Sequence, residues 1–181
     1  MANSSTRKSD DAQNGASQLQ EYFLNELKDV YGAEKQLVQA LPKLQKAATT
    51  EELKGAFEEH LAITKEQITR LEKVFELFDQ KPQSKKCEAM EGITKEGESV
   101  IEETESGSKT RDAAIIMAAQ KAEHYEIAAY GGLVTLAKTM GRNDAADLLA
   151  QTLAEEKEAD QLLTEIAESN INAEADQEQA S

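Results

Sequence analysis

From Leu19 to Ala167 the apolar residues recur three and four positions apart, so at about 100° per residue they fall on single faces of long helices. Phe23, Leu27, Val30, Leu37 and Leu41 make the first stripe, with Glu34 at its centre. Leu53, Phe57, His60, Thr64, Gln67, Leu71, Phe75 and Phe78 make the second. On the third, Ile116, Gln120, Glu123, Ile127, Tyr130 and Val134 share a face, with Glu126 at its edge. Leu149, Leu153, Glu156, Asp160, Leu163 and Ala167 make the fourth. Each stripe is apolar enough to be buried, and each is broken near its middle by a polar side chain.

The punctuation between stripes sets the connectivity. Pro42 should weaken the first helix near its end, and Thr49 with Glu52 three residues on reads as a capping box opening the second. The second stops around Asp79 to Pro82. Residues 80–110 form a long connection in which 88–103 are expected to make a short helix packing Met90, Ile93, Val100 and Ile101. After the break at Ser106-Gly107-Ser108, the third long helix is expected from about Arg111 to Met140. Gly131 and Gly132 interrupt it, and a closely approaching neighbour is the expected reason for Gly131. Gly141 reads as a C-terminal cap, and Asn143 or Asp144 as the next N-cap. Two antiparallel hairpins joined by a long connection containing a short helix describe an all-α, ferritin-like four-helix bundle over residues 18–168. Residues 1–17 and 169–181 are expected to be disordered polar tails, the latter acidic.

Composition narrows the function classes. The 181 residues include 30% charged and 4% aromatic side chains and carry a formal charge of −15, which argues against nucleic acid and against an anionic membrane. No apolar run approaches the ~20 residues of a membrane span, and the N-terminus lacks the apolar core of a secretory signal. The single cysteine, Cys87, fits a reducing cytoplasm. Lys85 and Lys86 beside it would lower its pKa if they faced it, but a silent thiol is the plainer reading.

Spacing about the turns predicts that the stripe centres within each hairpin lie at roughly one level, while the match between the two hairpins is left open. Glu34 and His60 are equally distant from residue 47; Glu126 and Glu156 each lie fifteen residues from Gly141, with Glu123 and Asp160 just beyond. A lone acid on an apolar stripe usually reaches to water, and a lone histidine is usually a hydrogen-bonded core residue. Four interrupted stripes make a stronger coincidence. Five carboxylates and an imidazole buried together repel one another unless neutralised, and that donor set suits iron, manganese or zinc. The candidate metal ligands are therefore Glu34, His60, Glu123, Glu126, Glu156 and Asp160, for one or two ions per chain. Tyr31 and Tyr130 are placed to hydrogen-bond them; His124, Glu26 and Asp29 read as surface residues. No phosphate loop or nucleophile elbow is present, and no catalytic residue is assigned.

The runs Tyr22–Leu37, Ala56-Phe-Glu-Glu-His-Leu61, Gln67–Glu72, Lys86–Gly92, Ala122–Gly131 and Leu148–Asp160, in this order and spacing, resemble the YciF-type ferritin-like stress proteins. The resemblance covers about residues 19–168 and implies a four-helix ferritin-like domain, a bacterial homodimer and a part in stress responses. The wider rubrerythrin-like, di-iron group places glutamate on the first helix, Glu-x-x-His on the second, Glu-x-x-Glu on the third and glutamate with histidine on the fourth. Glu34, His60, Glu123, Glu126 and Glu156 match; Phe57 stands in place of a glutamate, Asp160 roughly in place of a histidine, and Ile63 where many relatives are polar. The leading expectation is a metal-binding bundle handling peroxide, oxygen or iron. Its rival is a non-catalytic dimeric bundle whose polar cluster fixes helix register. A lipid-binding amphipathic protein fits less well, given the charge and narrow stripes. A dimer is expected to use exposed helix faces, with Phe75, Phe78 and Ile63 as surplus apolar surface.

Overall fold

The computed structural model describes residues 16–179, and among them there are helices and no strands. The four long helices are α1 (Gln18–Ala47), α2 (Glu51–Leu77), α4 (Lys109–Thr139) and α5 (Asn143–Ile166), with α3 (Glu88–Glu103) in the connection and a short α6 (Asn172–Ala175) at the end. α1 packs on α2 and α4, and α5 packs on those same two, so the long helices form a four-sided bundle. α3 lies outside it, against α1 and α4. This burial on two sides explains why α4 is rich in small residues: Ala118, Ala119 and Ala122 are buried where neighbours come close. Among the described residues, no helix is long and apolar enough to cross a membrane.

The element ends follow from local chemistry. The side chains of Ser17, Cys87 and Ser108 accept the Gln20, Met90 and Arg111 amides at the starts of α1, α3 and α4. Gly107 and Gly141 take positive φ of 84° and 73°, the conformation a left-handed turn requires. α1 runs on past Pro42 to Ala47. The Thr49–Glu52 capping box does not form. Thr50 occupies the N-cap of α2 without a side-chain bond, and fully buried Asp112, from α4, accepts both the Thr49 and Thr50 amides, at 2.6 and 2.8 Å. A distant carboxylate thus replaces the local cap and ties the α1–α2 turn to α4. Asp112→Ala is expected to cost about 2 kcal/mol, since it strips two part-buried amides of their shared acceptor; urea denaturation would measure it, and a loss below about 0.5 kcal/mol would contradict this role.

Three further expectations change. The ordered chain does not end at 168: a π-helical turn, Ala167–Ile171, leads into α6. Leu163, Ala167 and Ile171, four apart, continue the buried face of α5, and Ile171 is 2% exposed. Gly131 faces open space, as does Gly132, so no neighbour explains them; the close approach is at Gly32 instead. Phe75 and Phe78 are buried, which removes them as surplus surface, while Ile63 is partly exposed. The polar stretch 1–17 lies almost wholly outside the described residues.

Candidate metal centre

The apolar core is split in two. Leu37, Leu41, Leu53, Phe57, Ile115 and Leu163 belong to one cluster, and Phe23, Leu27, Leu71, Phe75, Leu133 and Leu149 to the other. Between them lies a polar layer built from the interrupted stripe centres. His60, Glu123, Glu126 and Glu156 each offer a ligand atom, and those atoms lie within 4.8 Å of one another. His60 Nε2 is 3.4 Å from Glu123 Oε1 and 3.9 Å from Glu156 Oε2. Glu34 adjoins this group beside Glu126 and accepts a hydrogen bond from the Tyr130 hydroxyl. Asp160 stands apart, one helical turn beyond Glu156: it is partly exposed, takes a bond from Gln120 Nε2 at 3.0 Å, and lies 3.3 Å from His124 Nε2. Five of the six candidate side chains thus meet in one buried layer.

The layer is short of donors. Glu34 Oε2, Glu123 Oε2, both oxygens of Glu126 and Glu156 Oε2 are buried with no hydrogen-bond partner. Burial pushes the Glu34, Glu123 and Glu126 carboxyls well above the usual range, and the charge of neighbouring carboxylates adds to it. Burial also raises Glu156 to about 7, although the close approach of Glu123 and the bond from Gln67 pull the other way. His60 moves oppositely: burial lowers it to about 4, against the pull of the Glu155 charge, so the imidazole is neutral near pH 7. A neutral ring nitrogen facing under-compensated carboxylates is a donor set that fits a divalent cation.

A surrounding set of side chains orients these groups. Gln67 Nε2 donates to Glu156 Oε1 at 2.5 Å and to Glu155 at 3.1 Å. The Arg70 guanidinium holds Glu155 through two 2.8 Å bonds and reaches Thr152 Oγ1 at 2.7 Å. Burial works against the Glu155 charge, but the bonds from Arg70 and Gln67 outweigh it and hold that carboxyl below its usual range. Gln67 stands on the second stripe with no predicted partner, and Arg70 and Glu155 are not among the predicted site residues. Gln67 is seven residues from His60, two turns on the same face, which was the one signal; Arg70 and Glu155 lie off the stripes and left none. Tyr31 does not reach the layer: its hydroxyl donates to Glu72 at 2.8 Å, and burial with that bond raises it to about 12.

Cys87 and Asp29 belong to a separate contact. Cys87 is fully buried, its Sγ 3.0 Å from the Tyr125 hydroxyl, which donates to Asp29 Oδ2 at 2.9 Å. Asp29 is therefore tucked under the α2–α3 connection and is not a free surface acid. The lysines do not activate the thiol: Lys85 faces Asp29 and Lys86 faces Glu91, and burial raises the Cys87 pKa.

Residues 18–176 match a family described as a domain of unknown function, DUF892. The chain is 48% identical over 159 residues to the protein YciF of Escherichia coli strain K12, covering 87% of this chain and 95% of that one. The crystal structure of the E. coli stress protein YciF aligns with a TM-score of 0.82 over 87% of this chain and 99% of the other. YcfI from Rhodopseudomonas palustris aligns at 38% identity and a TM-score of 0.80, over 84% and 96% of the two chains. A Xanthomonas campestris protein, 24% identical over 91% of this chain and 100% of its own, shares the fold with a TM-score of 0.69.

Proposed function

Because the chain belongs to the YciF-type family of ferritin-like stress proteins, we propose that it holds one or two divalent metal ions, iron or manganese, between its four long helices and acts there on oxygen or peroxide. The observation that carries this reading is the set of buried carboxylate oxygens without donors, gathered around a neutral imidazole. Such a set is stable only when protons or cations neutralise it. His60, Glu123, Glu126 and Glu156 would hold one ion, and Glu34 would extend the set toward a second. A redox metal there would supply the electrons for reducing oxygen or peroxide.

The chain's own side chains do the positioning. Tyr130 fixes Glu34, and Gln67 fixes Glu156. Burial keeps the His60 lone pair free of a proton at neutral pH. The apolar clusters on either side exclude bulk water. We further assign the protein to the cytoplasm as a homodimer without nucleic-acid or membrane partners. Sedimentation would test the dimer; a monomer appearing only after reduction would contradict pairing through helix faces.

Elemental analysis of protein purified without chelator or affinity metal tests the metal reading. About two redox metals per chain would support a paired site. No uptake after iron or manganese loading would leave the register-fixing bundle, a reading favoured by the bonds Glu34 and Glu156 already make to Tyr130 and Gln67. His60→Ala separates the two. In metal-free protein it is expected to cost about 1–3 kcal/mol through a cavity and lost polar contacts. It should also remove most of the rise in melting temperature that manganese gives the wild type, because only binding to the folded state adds that stability. An equal rise in both proteins would show that His60 is no ligand.

A further inference from the structure

A cleft of about 160 Å³ lies between α2 and α5. His60 and Glu123 are on its lining, and its apolar walls include Phe57, Ile63 and Leu162. His60, at 9%, is the most exposed member of the buried polar group; Glu123, Glu126 and Glu156 are at 3% or less. Glu123, which lines this cleft, also has a buried oxygen with no partner. The other charged lining residues are Glu59, Glu155 and Glu158, and no lysine or arginine is among them. Arg70 compensates Glu155, while Glu59 and Glu158 are exposed. Phe57, standing where the wider group has glutamate, is thus part of a wall and not a ligand.

The geometry points to this cleft as the gateway by which a divalent cation enters the buried layer, drawn in by Glu59 and Glu158 and received first by His60 and Glu123. The inference rests on the metal reading above and adds to it a route and a first contact. The volume is several times that of one water molecule, so a cation can pass with part of its hydration shell. Two uncompensated carboxylates beside a low-dielectric wall raise the local cation concentration, an effect on rate that weakens with salt. Neither carboxylate is among the buried group of four, so they govern arrival more than final affinity.

Cobalt(II) is a suitable probe, because its visible absorption reports ligation directly. Stopped-flow mixing would give the uptake rate and competition with a chelator the affinity, for the wild type, the double variant Glu59→Gln/Glu158→Gln, and Ala159→Leu, which narrows the cleft. The double variant is expected to take up cobalt roughly threefold or more slowly at low salt, with little difference at high salt and nearly the same affinity. Ala159→Leu is expected to slow uptake and release about tenfold together, leaving affinity nearly unchanged. Unchanged uptake in both variants, with a wild type that binds cobalt, would overturn the gateway while leaving the metal site standing. A wild type that binds no cobalt would overturn the metal site and the gateway with it. The Gln variants change only exposed side chains, so they remain informative if Ala159→Leu fails to fold.

Discussion

Raising the pH of the metal-free protein from about 5 to about 8 is expected to lower its melting temperature substantially, and saturating manganese is expected to restore it. The carboxyls of Glu34, Glu123 and Glu126 are raised well above their ordinary value of 4.5, and Glu156 is raised to about 7. A group raised on folding stabilises the fold below its unfolded value and loses that contribution as the pH climbs through its folded value. Glu156 alone accounts for a loss on the order of 3 kcal/mol. His60 works the other way: lowered from 6.5 to about 4, it contributes stability above about 6.5 that is lost as the pH falls toward 4. Between about 5 and 6.5 the two trends oppose, and four carboxyls outweigh one imidazole; above 6.5 only the carboxyls still change. Glu155, lowered by Arg70 and Gln67, loses its contribution only below about 4.5, outside this range.

A divalent cation changes the sign because it replaces the protons as counter-charge. Bound at a concentration 100 times its dissociation constant, it adds about 2.7 kcal/mol to the folded state. Its affinity should rise with pH as the carboxyls shed their protons. Melting curves followed by circular dichroism, with chelator and with manganese, would measure both trends. A metal-free protein that is equally stable or more stable at the higher pH would show that the buried carboxyls do not depend on protons for their neutralisation.

The long helices were legible because each keeps its apolar residues on one face for about five turns or more, and the short α3 was legible from Met90, Ile93, Val100 and Ile101. The centre of the polar layer was partly legible for the same reason: Glu34, His60, Glu123 and Glu156 are the polar interruptions of otherwise apolar stripes, and spacing from the turns levelled them within each hairpin, but the match in height between the hairpins depends on how the two pack and left no local signal. What failed was chemistry that joins distant parts of the chain. Asp112 caps α2 from more than sixty residues away, and no local pattern marks such a donor–acceptor pair. Asp160 follows Glu156 by four residues, so it sits a turn further along α5, where Gln120 and His124 engage it instead of the buried group. The end of the bundle was missed because Ile171 is a single apolar residue in a polar stretch, too little for a periodic signal, yet it continues the face begun by Leu163.

Gly32→Ala is expected to cause a larger stability loss than Asp112→Ala or His60→Ala, about 3 kcal/mol or more. A Cβ at Gly32 would lie 1.8 Å from the Lys85 carbonyl oxygen and 3.0 Å from its carbon. That neighbour is backbone, so it cannot swing aside as a flexible side chain would. It is also held in place: the Lys85 amide donates to Lys28 O at 2.9 Å, and Gln36 Nε2 donates to Cys87 O at 3.2 Å. Room for a methyl group therefore requires the α2–α3 connection to lift from α1, which would loosen the Cys87 cap of α3 and its contact with Tyr125. Cys87, fully buried in the wild type, should then react faster with a thiol reagent. Gly131→Ala and Gly132→Ala are the controls: both glycines lie within α4 facing open space, and each change is expected to add up to about 1 kcal/mol through helix propensity. Urea denaturation of the three variants would compare them. Gly32→Ala within about 0.5 kcal/mol of wild type, with an unreactive Cys87, would mean that the connection does not press on α1.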